Sequence, residues 1–216
     1  MDLSLDSLTD GMQDDAIRRG IVHAALRLAE QAGSWDAVHV HAVAGELGIG
    51  LDEVRRHFGD KDAIAEGFFD IADAALLALS RQPGWAALPI RERLFRAIMA
   101  WLDALAAHRR LVPGMLGYKL HPEHVHLQVR AVARISRTAQ WIRETALLRS
   151  TGWRREVEEA VVTTIYLTTF SRWMGDSSRG AESTRRLLKR LLGATERGAL
   201  RLGWPAWPGH REVRPD

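Results

Sequence analysis

The densest run of metal-donor atoms is His121-Pro-Glu-His-Val-His126, where three imidazoles and the Glu123 carboxylate carry the atoms that zinc or nickel takes. The spacing fits no single helix face, because residue 126 lies round the helix from 124. A loop or helix start is the expected reading, and no metal is assigned. No nucleophile–base constellation, phosphate-binding glycine loop or cofactor fingerprint occurs, so neither catalysis nor a cofactor is expected. The absence of Cys removes disulfides, Cys-ligated zinc, iron–sulfur clusters and thiol catalysis. It suits a cytosolic protein, and localisation in the cytoplasm is the expectation.

Two other chemistries remain. The first is electrostatic. Arg55, Arg56 and Lys61, with Arg18 and Arg19, form a candidate strip for phosphate, and Asp52 or Glu53 has the acceptor oxygens to read a cytosine amino group. The second is apolar. Met99, Trp101, Met115, Tyr118, Trp141, Tyr166 and Phe170 crowd the C-terminal half. They suit the lining of a cavity for a small apolar or lipid-like ligand, with ordinary core as the competing reading. Pro113-Gly114 favours the cavity, because a broken helix packs less continuously.

Charge is unevenly placed. The chain carries a formal +3, yet residues 1–15 hold five Asp and no Lys or Arg, and residues 16–80 hold six basic and ten acidic side chains. Residues 130–216 hold 17 basic and nine acidic ones. Any anionic partner must answer to that asymmetry.

The elements that position these groups read as helices. With 46% hydrophobic and 26% charged residues in 216, the composition is that of a globular chain. No apolar run reaches the roughly 18–20 residues that span a bilayer, and the acidic start lacks a secretory apolar stretch. Alternation of β-branched residues is confined to Val38–Val43, whereas helical spacing recurs throughout. Ile17, Ile21, Ala24, Leu28 and Ala32 share a face, and Gly33 stops that helix. Two short helices, about 39–47 and 51–57, flank Gly48-Ile49-Gly50; Asp60 is a good N-cap for a helix over 61–80. Arg81–Pro89 is a turn-rich break.

Longer helices are predicted at about 90–107, 109–120 (interrupted at Pro113), 122–148, 154–173 and 181–202. The helix at 154–173 has two apolar stripes: Val157, Val161, Ile165 and Thr168 on one, and Val162, Tyr166, Phe170 and Trp173 on the other. A helix apolar on two sides is buried on two sides. Val161, Ile165 and Thr168, with Leu188, Leu191 and Leu192 of the final Leu-rich helix, are therefore the expected seam of a homodimer.

The segment Ala42-Val-Ala-Gly-Glu-Leu-Gly-Ile-Gly-Leu-Asp-Glu-Val-Arg-Arg-His-Phe-Gly-Asp-Lys-Asp-Ala-Ile64 resembles the N-terminal motif of the TetR family of transcriptional regulators. The shared parts are the Ala–Ala–Gly–apolar spacing, the apolar residue four before Phe58, the His57-Phe58 pair and the Asp-Lys-Asp-x-Ile that leads the next helix. The resemblance is specific over about 14–75 and architectural over 90–202. It implies an all-α, TetR-like fold. Residues 1–13 would be a disordered acidic start, 14–60 a helix-turn-helix DNA-binding domain, 61–203 a helical ligand-binding and dimerisation domain, and 204–216 an irregular tail.

By the same resemblance the helix at 51–57 enters the major groove of a double-stranded operator, and Lys61 and its neighbours meet phosphates. The DNA-facing set is then Arg18, His39, Gly50, Leu51, Asp52, Arg55, Arg56, His57 and Lys61. Two departures stand out: Leu51 replaces the usual Lys, Ser or Thr, and Arg55 replaces a phosphate-touching Tyr.

A second resemblance runs through Trp35, Asp70-Ile-Ala-Asp73, Ile90-Arg-Glu-Arg-Leu94, Leu105-Ala-Ala-His-Arg109 and Trp173-Met-Gly-Asp-Ser-Ser178. These look like the lipid-binding accessory proteins of coenzyme Q biosynthesis. That family shares the fold, docks on a membrane surface through an amphipathic helix and does not read DNA. The cationic run Arg185-Arg-Leu-Leu-Lys-Arg190 and Trp204 and Trp207 suit such a helix. The leading expectation is a homodimeric regulator, a repressor, that responds to a small apolar or lipid-like effector; the membrane-docking protein is the alternative.

Overall fold

The computed structural model of the chain describes residues 5–117 and 125–201, and the side chains of 10–117 and 132–201. Among the described residues the helices are α1 (Leu5–Ala32), α2 (Val40–Leu47), α3 (Leu51–His57), α4 (Lys61–Ala78), α5 (Ile90–Leu105), α6 (Val112–Gly117), α7 (Val125–Thr145), α8 (Trp153–Met174) and α9 (Glu182–Arg201), and there is no strand. The all-α expectation is met among the described residues. Two compact units divide these elements: residues up to Ile71 with those following His108 form one, and Ala72–Ala107 with the residues beyond Pro122 form the other.

In the first unit α1 packs on α2, and α2 on α3. Ile21, Val22, Ala25, Leu26 and Ala29 of α1 meet Val43, Ala44, Val54 and Phe58 in one core, all of them buried. Gly67 sets the closeness of α4, since a Cβ there would come within 2.9 Å of Val22 and Phe58 side-chain atoms. Two expectations change here. The acidic stretch at 5–13, predicted irregular, is helical and extends α1 at its N-terminus, where carboxylates suit the helix dipole. Leu28 is half-buried and Ala32 exposed, so the core face of α1 lies round from the predicted one.

In the second unit α7 packs on α8, α8 on α9, and α5 on α7 and α9. The helix predicted to break at Pro113 instead begins there: α6 starts at Val112, and the irregular backbone lies earlier, at His108 (φ −112°, ψ 22°). Proline in a first turn costs no hydrogen bond.

Asp176 ties the end of α8 to the start of α9. Its carboxylate accepts from Ser178 N and Oγ at 2.9 and 2.6 Å and from Thr184 N and Oγ1 at 2.8 and 2.7 Å. Burial opposes its ionisation, but these four hydrogen bonds outweigh burial and hold the carboxyl below the ordinary range.

Candidate nucleic-acid interface

The turn between α2 and α3 is built by two glycines with different tasks. Gly48 closes α2 in the left-handed region, at φ 65°, where its N–H reaches the Ala44 and Gly45 carbonyls. Gly50 precedes α3 in extended backbone, and a Cβ there would run into the Asp52 carboxylate. Val54 and Phe58 then anchor α3 in the core. That anchoring turns Leu51, Asp52, Arg55 and Arg56 to solvent, with Leu51 54% exposed. A short helix fixed by one face and bare on the other is the layout that places side chains in a DNA groove.

The remaining predicted residues are placed differently. Arg18 donates through Nη1 to the His57 carbonyl at 3.0 Å and through Nη2 to Asp70 at 3.3 Å, with its guanidinium 4.4 Å over the Phe58 ring. Its first task is to hold α1, the end of α3 and α4 together. The His57 side chain is only 5% exposed, beside Glu53 at 3.2 Å and Asp14 at 3.6 Å. Lys61 donates to the Asp36 carbonyl at 3.0 Å and lies 5.7 Å over Trp35. Arg56 pairs with Glu53. His39 is exposed at the N-cap of α2 and stacks on His41 at 5.3 Å. Arg55 is exposed and makes no ion pair among the described residues.

The electrostatic surroundings are acidic. A groove of about 550 Å³ runs along α3, lined by Asp10, Gln13, Asp14, Ile17, Ile49, Gly50, Asp52, Glu53 and Arg56. Four carboxylates face one guanidinium there, which disfavours phosphate at low salt. The contribution of Asp10 and Asp14 was not legible without knowing that α1 extends past the turn. The Trp35–Lys61 contact was missed for the same kind of reason, since it joins residues 26 apart in the chain.

The residues predicted for an apolar ligand divide between the units. In the second, Trp101 meets Tyr166 and Phe170 edge-on at 5.3 and 5.4 Å, and Tyr166 and Phe170 stack at 6.1 Å. Met99 is buried on α5. Beside the rings lies a polar centre that sequence spacing did not disclose. Asp73, 5% exposed, accepts from Trp101 Nε1 at 2.8 Å, Arg134 Nη2 at 2.8 Å and Thr138 Oγ1 at 3.1 Å. Burial, and then the Asp73 charge, raise the Tyr166 phenol well above its ordinary value.

Met115 is buried in the first unit, whereas Trp101, Tyr166 and Phe170 belong to the second. Trp141 departs from expectation: it is 40% exposed, because Thr138, Ile142 and Thr145 form the buried face of α7 and residue 141 lies off it. Tyr118 and the side chains of His121–His126 fall outside the described residues.

Three of the residues expected at a dimer seam are buried within the single chain. Ile165, Leu188 and Leu192 are 5%, 0% and 1% exposed within the chain itself, spent on packing α8 against α9. The rest of the first stripe of α8 is more open: Val157 is 43% exposed, Thr168 is exposed and Val161 half-buried; Thr164 beside it is exposed, and Leu191 on α9 is half-buried.

No family model and no curated protein sequence matches the chain. Among solved structures, it is similar to a TetR transcriptional regulator from Nitrosomonas europaea ATCC 19718, at 41% identity over 83% of this chain and 97% of that one, with a TM-score of 0.73. Fainter likenesses reach a TetR-like transcriptional regulator from Rhodococcus sp. RHA1 and PfmR, a TetR family transcriptional regulator from Thermus thermophilus. These stand at 20% and 21% identity, over 85% and 80% of this chain and 97% of each of theirs, with TM-scores of 0.49 and 0.48. With the Ala42–Ile64 motif folded as a helix-turn-helix and 41% identity across nearly the whole of the Nitrosomonas regulator, the chain belongs to the TetR family of transcriptional regulators.

Proposed function

We propose that the protein is a homodimeric repressor that reads a palindromic operator through α3 and responds to a small apolar or lipid-like effector. The observation that carries the reading is the outward face of α3, where Leu51, Asp52, Arg55 and Arg56 stand clear of the core. Arg55 and Arg56 supply the phosphate or guanine contacts in place of the usual Lys and Tyr, and Leu51 offers an apolar contact to a thymine methyl. Trp101, Tyr166 and Phe170, with the Asp73 centre beside them, are the effector region: rings for apolar area, buried polar groups for orientation. An effector that binds one spacing of the two heads better than the other shifts the population between them.

The dimer forms through the open stripe of α8 and the half-buried edge of α9. Val157→Glu together with Val161→Glu should halve the mass seen by sedimentation; unchanged mass places the interface elsewhere. The DNA reading is tested by mobility shift on the DNA flanking the protein's own gene at two salt concentrations. Binding that weakens steeply with salt supports it.

The acidic groove along α3 favours a second reading, the membrane-docking accessory protein that does not read DNA. No DNA binding even at low salt, with sedimentation on anionic vesicles that Arg186→Gln with Arg190→Gln, both exposed on α9, weakens, is the outcome that selects it.

A further inference from the structure

Among the described residues of the second unit three arginines are buried, and they are not alike. Arg134 has Asp73, and Arg143 has Glu158. Arg93, 6% exposed in the first turn of α5, has no carboxylate within ion-pair distance among the described residues. It makes one hydrogen bond, from Nη1 to the Ala86 carbonyl at 2.8 Å, and its Nε is buried without an acceptor. Nη1 lies on the Cδ side of the guanidinium. The edge left over is therefore Nε with Nη2, the two-donor fork that matches two oxygens of one anion.

Two more groups belong to the end of α7 and the residues just after it. Trp85 Nε1 donates to the Thr145 carbonyl at 2.7 Å, which brings the end of α7 against the Trp85-Ala86 segment. Thr145 Oγ1 is buried there without a partner. Arg149 lies four residues on, exposed and past the end of α7; burial first, and the Arg149 charge second, lower the proton affinity of Arg93. Two cations near each other, one desolvated, with buried donors lacking acceptors, are costly for the empty protein and favourable around an anion.

We propose that this corner, where the Trp85-Ala86 turn meets the first turn of α5 and the last turn of α7, binds a small oxyanion, a phosphate or carboxylate group. The Arg93 Nε–Nη2 edge receives two of its oxygens, Thr145 donates to it, and Arg149 covers its open side. The site lies eight residues along α5 from Trp101, roughly 12 Å at the helical rise. It does not depend on the effector or DNA readings.

Thermal unfolding and calorimetric titration of the full chain test it, with inorganic phosphate, glycerol phosphate and acetate each compared with chloride at constant ionic strength. The expected result is a saturable rise in Tm with at least one oxyanion; the arm that responds names the source. Arg93→Met should abolish the saturable rise and show a higher Tm than wild type in chloride, because the desolvated charge is gone. Arg149→Gln, an exposed change that leaves the fold intact, should raise Kd about threefold. Arg91→Gln, on the exposed face of the same turn of α5, should leave Kd unchanged. A wild type that treats all the salts alike overturns the proposal. So does a saturable response that survives both Arg93→Met and Arg149→Gln.

Discussion

The helix-turn-helix unit and the second unit differ in whether they bury ion pairs. In the first, ion pairs sit at the surface: Arg56 and Arg27 are 68% and 51% exposed where they meet Glu53 and Glu46. Such pairs contribute little to stability, so the outward face of α3 is free to be shaped by what it must touch. The second unit has surface pairs too, such as Arg91 with Glu196 and Arg185 with Asp103, but it also holds ion pairs inside. Arg143 and Glu158, 3% and 4% exposed, meet at 2.8 Å, and Ser150 donates to the other Glu158 oxygen at 2.6 Å. There a charge is part of the packing, and removing one member strands the other. The same substitution type should therefore alter function in one unit and folding in the other.

The largest effect tests the buried side of that contrast. Glu158→Ala leaves the Arg143 guanidinium desolvated and unpaired, and should cost about 3–5 kcal/mol by urea denaturation. A loss within the range of a surface pair would show that water reaches the site and would erase the difference between the units.

Asp176 gives the intermediate case. Asp176→Ala removes four accepted hydrogen bonds at the start of α9 and should cost about 1–2 kcal/mol. The pH dependence has a definite sign. The folded-state carboxyl is held below its unfolded value, so its contribution is complete above about pH 4 and is lost as the pH falls below that. The wild type should lose stability on acidification in that window, and Asp176→Asn should lose less. Parallel acid curves for the two proteins would assign the cap to the threonine and serine rather than to the carboxylate.

The smallest effect on stability carries the largest effect on function. Arg55→Ala with Arg56→Ala should change unfolding free energy by less than about 0.5 kcal/mol, since both side chains are exposed. Operator binding should weaken, and the slope of log K against log salt should flatten by about one unit for each phosphate no longer neutralised. A double variant that unfolds early would mean that α3 is held by its surface charges. One that binds DNA with an unchanged slope would move the DNA-touching role to Lys61 and its neighbours.

Local rules were enough for much of the head. Gly48 after an apolar eight-residue helix, Val54 and Phe58 four apart, and Asp60 three before the Ala63 N–H it caps at 2.6 Å are short-range patterns, and each appears where its spacing puts it. The all-helical class followed from the same periodicity, and the family from the motif at 42–64 together with the long match to the Nitrosomonas regulator. Apolar spacing could not say which of two stripes on α8 the chain would use for itself. Val162, Tyr166, Phe170 and Trp173 went wholly inside, and Ile165 went with them, while Val157 and Thr168 stayed open.

Polar partnership was equally out of reach. Asp73 finds Arg134 and Thr138 across more than sixty residues, Arg18 spends its charge on His57 and Asp70, and Arg93 is buried with no carboxylate partner among the described residues. The physical reason is the range of the information. Helix periodicity and caps are set within about four residues, the reach of one backbone hydrogen bond. Which face is buried, and which charge meets which, is decided by helices that arrive from elsewhere in the chain, and only their packing fixes it.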